Sequence, residues 1–204
     1  MTGKTHVGIG VMATVILSEY LPVDLSIVSL VACAFSSILP DIDHPNSIIN
    51  KYILPVKNKA VKASIYITLG VFLYVLNYFY FDEVYLKAVG IFLVLIGVSS
   101  HRNGITHSLT GLLCFTGVYG YMALTYGWKE SILPFTIGYG AHLIGDMFTA
   151  RGIALFFPFR KKRYKMPLTF SVGTWWGNLI EGLIISGGLI YLTWRLPIIL
   201  SKLK

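Results

Sequence analysis

Five histidines occur in this chain, His6, His44, His101, His107 and His142, and each stands at or near the end of an apolar run. Carboxylates accompany them. "PDIDHP" brings Asp41, Asp43 and His44 within four positions, and "GYGAHLIGDMF" places Asp146 four residues after His142. Residues at i and i+4 project from one face of a helix, a common arrangement for two metal ligands. Asp41 and Asp43 alternate, and in an extended loop they would face one way. His101 and His107 bracket the short segment "HRNGITH". These stretches contain no thiolates, and imidazole with carboxylate suits zinc above all, with manganese or iron also fitting. A helix cap or a polar turn would account for any one stretch taken singly. What argues for chemistry is their joint placement.

That placement depends on the elements between them. The chain has 204 residues, is 55% hydrophobic and only 13% charged, with a mean hydropathy of +0.69. Charged residues are about half as frequent as in soluble domains. An all-α, polytopic membrane helical bundle is therefore expected, as a single integral membrane domain over residues 1–204. Seven apolar segments are legible, at roughly 7–21, 25–39, 62–81, 85–100, 108–127, 131–149 and 177–196. A full crossing takes about 20 residues, so the first, second and fourth are short and read as tilted, re-entrant or embedded. The first run follows "MTGKTH" and lacks a small-x-small site, so no cleavable signal peptide is expected. Cys33 and Cys114 lie in apolar runs and form no CxxC pair; both read as filler. Gly182 and Ser186, at small-xxx-small spacing, read as helix packing.

The net charge of +8 raises nucleic acid as a partner, but the basic residues sit in short loops between apolar runs, and topology explains them better. Lys51, Lys57, Lys59 and Lys62 follow the second segment; Arg151, Arg160, Lys161, Lys162, Arg163 and Lys165 follow the sixth. The positive-inside rule places both loops in the cytoplasm and the chain in the cytoplasmic (inner) membrane, with the amino terminus inside. All five histidines, with Asp41, Asp43, Asp146 and Glu181, then fall at the cytoplasmic face. "RKKRYK" is a topology determinant with anionic headgroups as secondary partners.

With these motifs on the page, the chain resembles a known family. "TGKTHVGIG", "LPDIDHPNS", "HRNGITHS" and "GYGAHLIGDMFTARGIALFFPF" are similar to the YdjM-type inner-membrane proteins, described as membrane-bound metal-dependent hydrolases. The likeness runs from the start to about residue 180. The family's stretch is closer to His-Arg-Gly-x-Thr-His-Ser, so Asn103 makes this one a residue longer, whereas Thr106, His107 and Ser108 match without adjustment. The His/Asp pattern is also remotely similar to the zinc-dependent phospholipase C and P1-nuclease group, which implies phosphoester hydrolysis by analogy.

The expected function is hydrolysis of a lipid or lipid-linked phosphoester at the cytoplasmic leaflet, through a metal-activated water. Asp41, Asp43, His44, His107, His142 and Asp146 are the expected ligands of one to three ions, with His6 and His101 as further candidates. Arg102 or Arg151 would hold a phosphate oxygen, and Glu181 would serve as general base. Two other classes compete. A metal or small-ion transporter would place ionisable residues at mid-membrane, yet the middles of the third, fifth and seventh segments are uncharged. A metal-stabilised scaffold would close its coordination sphere.

Overall fold

Three of the helices start where a side chain caps them. Ser26 accepts from the Ser29 amide, Asn58 from the amides of Ala60 and Val61, and Ser108 from the Gly111 amide; each satisfies a donor that the first turn leaves open. The computed structural model describes residues 1–43, 56, 58–99 and 104–202. Within them lie seven α-helices and no strand: α1 (Gly3–Leu17), α2 (Ile27–Ile38), α3 (Lys59–Tyr80), α4 (Val84–Gly97), α5 (Leu109–Thr125), α6 (Ile132–Met147) and α7 (Trp175–Lys202). Each apolar segment legible in the sequence coincides with one of them.

Length separates the helices. At ~1.5 Å per residue, a ~30 Å hydrocarbon layer takes about 20 residues. Only α3, with 22 residues, and α7, with 28, reach that. These two are long and apolar enough to cross a membrane. Their outward faces are apolar: Phe72, Leu183 and Ile190 are all exposed, as are the aromatic pairs Tyr78–Phe79 and Trp175–Trp176. Lys62, assigned by sequence to a basic loop, lies inside α3 and is buried.

The described chain forms two compact units. The first comprises residues 1–39, 128–153 and 163–204 and contains α1, α2, α6 and α7. Here α2 and α6 approach closely at Gly138: a Cβ there would collide with the Cys33 carbonyl oxygen and the Ser36 hydroxyl, and would lie 2.9 Å from the Ser37 hydroxyl. Cys33 is fully buried, within 3.1 Å of the Thr14 hydroxyl. Gly138→Ala is expected to destabilise the protein by about 1–3 kcal/mol, the usual cost of overpacking; thermal unfolding in detergent checks it, and an unchanged midpoint would contradict the tight α2–α6 approach.

Helices α1 and α7 run parallel in a regular register. Thr5 bonds Glu181, Met12 lies beside Gly188, and Glu19 pairs with Arg195. Successive pairs are seven residues apart along both segments, the spacing at which one face of a helix keeps facing its neighbour. Gly182 and Ser186, read from sequence as packing residues, lie on the exposed face, and a Cβ on Gly182 would meet nothing. Gly188, which faces Met12, is the buried one. Small-xxx-small spacing fixes a face but not whether that face has a neighbour.

The second unit comprises residues 40–127 and 154–162 and contains α3, α4 and α5. Gly70 and Gly90 bring α3 and α4 together: a Cβ on either would stand 2.6–2.8 Å from the other's carbonyl oxygen. Ahead of α5 the chain turns through a 3-10 helix, Ile105–His107, and Phe157 accepts a hydrogen bond from the Thr110 hydroxyl.

Candidate metal centre

The last turns of α6 carry His142 and Asp146, both fully buried. Their i, i+4 spacing does put them on one face: His142 Nε2 stands 4.0 Å from Asp146 Oδ2. The other ring nitrogen, Nδ1, lies 2.7 Å from the Ser37 carbonyl oxygen. A carbonyl only accepts, so Nδ1 carries the proton and donates, and in the neutral ring Nε2 presents a lone pair on the Asp146 side. This is how metal-binding imidazoles are oriented from behind.

Helix α1 adds a second imidazole. His6 is fully buried and its ring stacks on that of His142, with centroids 3.7 Å apart and planes 19° from parallel. Its Nε2 is 3.3 Å from Asp146 Oδ1, yet among the described residues neither ring nitrogen makes a hydrogen bond. A buried polar group left so costs about 1–3 kcal/mol, which a coordinated ion would relieve. Gly145 permits the approach, since a Cβ there would already touch the His6 ring at 3.4 Å. The Met1 α-amino group donates to Asp146 Oδ1 at 2.8 Å, placing positive charge against this carboxylate.

Glu181 enters through α1. It is 5% exposed, and its Oε2 accepts from the Thr2 amide at 3.1 Å, the Thr2 hydroxyl at 2.6 Å and the Thr5 hydroxyl at 2.8 Å. Oε1 has no hydrogen-bond partner among the described residues. Thr2 and Thr5 were not legible as site residues; the available signal was "TGKTH", two hydroxyls one turn apart at the start of a helix that carries His6. Thr5→Val, which keeps the shape and removes one donor to a buried carboxylate, is expected to cost about 1–3 kcal/mol. Thermal unfolding reads this out, and no loss of stability would contradict the role of Thr5.

In the second unit, His107 is fully buried and its Nε2 lies 3.5 Å from Asp41 Oδ1. Its Nδ1 is 3.2 Å from the Thr106 hydroxyl, which meets the Ser99 hydroxyl at 2.8 Å. The extended loop expected for Asp41 and Asp43 is instead a 3-10 helix, Leu39–Asp43. The Asp43 side chain, His44, His101 and Arg102 lie outside the described residues. Arg151 is exposed in the turn after α6.

Asp41 and His107 in the second unit, and His142 and Asp146 in the first, are donors of a kind that could hold a metal ion. They supply carboxylate oxygen and imidazole nitrogen without thiolate, a set that fits zinc, manganese or iron. Over residues 1–201 the chain matches the family model described as YdjM inner membrane protein. It belongs to the YdjM family. Membership in an inner-membrane family agrees with the two helices able to cross a bilayer and with the apolar outward faces. The YdjM match spans every candidate residue, from His6 to Glu181. No curated protein and no solved structure matches the chain.

Proposed function

We propose that this YdjM protein is a membrane-embedded metal-dependent hydrolase that cleaves a phosphoester of a lipid or lipid-linked substrate at the cytoplasmic leaflet. His142 and Asp146 of the first unit and Asp41 and His107 of the second are its metal ligands, with Asp43, His44 and His101 as further candidates. The observation that carries the reading is His142: a buried imidazole held by the Ser37 carbonyl at Nδ1, with Nε2 left toward a buried carboxylate. A divalent ion bound there would supply Lewis-acid polarisation of the phosphoester and a water acidic enough to attack near neutral pH.

The chain's own residues do the rest. Glu181 Oε1 takes up the proton of the attacking water, while Thr2 and Thr5 fix the carboxylate through Oε2. Arg102 or Arg151 holds a non-bridging phosphate oxygen. Burial of the histidines keeps bulk water from competing, and the apolar faces of α3 and α7 let acyl tails stay in lipid. The basic loops favour a cytoplasmic site in a multi-pass chain.

The test is purification in detergent, measurement of bound metal, and assay of phospholipid and polyprenyl-phosphate substrates. Asp41→Ala, His107→Ala and Asp146→Ala are each expected to lower both metal content and turnover. Unchanged metal and turnover in all three would sink the reading. Counterflow uptake into liposomes would favour the transporter instead, and full metal occupancy without turnover would favour a scaffold.

A further inference from the structure

In the first unit the imidazoles of His6 and His142 meet the carboxylate of Asp146, and their mutual geometry bears on how many ions they take. A metal bound to an imidazole nitrogen lies close to the plane of that ring, ~2.0–2.1 Å beyond the nitrogen. The rings of His6 and His142 are stacked 3.7 Å apart and tilted by only 19°. Planes so placed converge about 10 Å away, several times the length of a metal–nitrogen bond. One ion therefore cannot serve both rings with either in its preferred geometry.

Both rings nevertheless turn an Nε2 toward the same carboxylate, and toward different oxygens of it. His6 Nε2 is 3.3 Å from Asp146 Oδ1, and His142 Nε2 is 4.0 Å from Oδ2. Neighbouring ligand atoms of a tetrahedral ion with ~2.0–2.1 Å bonds stand about 3.4 Å apart. The His6–Oδ1 pair already has that spacing, and the His142–Oδ2 pair reaches it after a small turn of the carboxylate.

We propose that the first unit holds two divalent cations side by side, one on His6 Nε2 and one on His142 Nε2, with Asp146 bridging them through Oδ1 and Oδ2. This rests on the metal reading above and deepens it. Ions held in the planes of two rings stacked 3.7 Å apart would lie side by side, as in two-metal phosphoester sites, where ions ~3.5–4 Å apart clamp the attacking and leaving oxygens. It also gives His6 a purpose. A buried imidazole with neither nitrogen hydrogen-bonded among the described residues is a poor packing residue, and a phenyl ring would fill the same space without an unsatisfied polar atom.

The full-length protein, stripped of metal in detergent, is reloaded with zinc for elemental analysis after gel filtration, and separately with manganese for electron paramagnetic resonance. The wild type is expected to show an exchange-coupled manganese pair. His6→Phe keeps a ring against His142 and is expected to bind one ion fewer per chain and to lose the coupled signal. An uncoupled six-line spectrum in the wild type, or an unchanged ion count and coupling in His6→Phe, would overturn the paired site while leaving a single-ion hydrolase standing. No bound ion at all would overturn the metal reading and the paired site together. The wild-type spectrum decides the matter even if the variant does not fold.

Discussion

On the metal-hydrolase reading proposed above, Asp146→Asn is expected to abolish metal binding and to lower hydrolysis by more than ~100-fold, since loss of even a group that only orients a ligand costs 10–100-fold in affinity or activity. The substitution keeps size and shape while removing the negative charge. That charge faces His6 Nε2 at 3.3 Å, His142 Nε2 at 4.0 Å and the Met1 ammonium at 2.8 Å. Asp146 faces both imidazoles, so the effect should exceed that of His6→Phe. Elemental analysis of gel-filtered protein and a phosphoester assay on the same sample check it. A variant that retains its metal and turns over normally would remove Asp146 from the site.

On the same reading, metal removal is expected to lower thermal stability as well as activity. An ion that binds only the folded chain stabilises it by about 2.7–4.1 kcal/mol at 100- to 1,000-fold excess over Kd. For a chain of this length each kcal/mol moves the midpoint by roughly 2–4 °C, so a strong chelator should lower it by roughly 5–15 °C. Zinc should restore the midpoint and magnesium should not, because imidazole ligands suit the former and magnesium prefers oxygen and water. A midpoint indifferent to chelator at neutral pH would exclude a metal held by these buried histidines.

The helices themselves were legible because hydrophobic runs and their breaks are local properties. All seven apolar segments carry an α-helix, and the caps at Ser26, Asn58 and Ser108 are ordinary cap residues at the positions where the runs begin. The i, i+4 relation of His142 and Asp146 was legible for the same reason: helical geometry fixes it before any tertiary contact forms. The 3-10 turn at Leu39–Asp43 was not, because a short polar stretch between prolines is compatible with extended and turned backbones alike.

How distant segments meet was not legible in the same way. The stack of His6 on His142, the reach of Glu181 to Thr2 and Thr5, and the Ser37 carbonyl behind His142 join residues 100 or more positions apart. No spacing rule applies across such separations; packing does. The heptad register of α1 on α7 sets Glu181 beside Thr5, and the glycine contact of α6 on α2 sets Ser37 behind His142. Local spacing alone was enough to say that a helix would present His142 with Asp146. Packing decided that His6 joins them face to face, because ring orientation depends on the helix behind each ring.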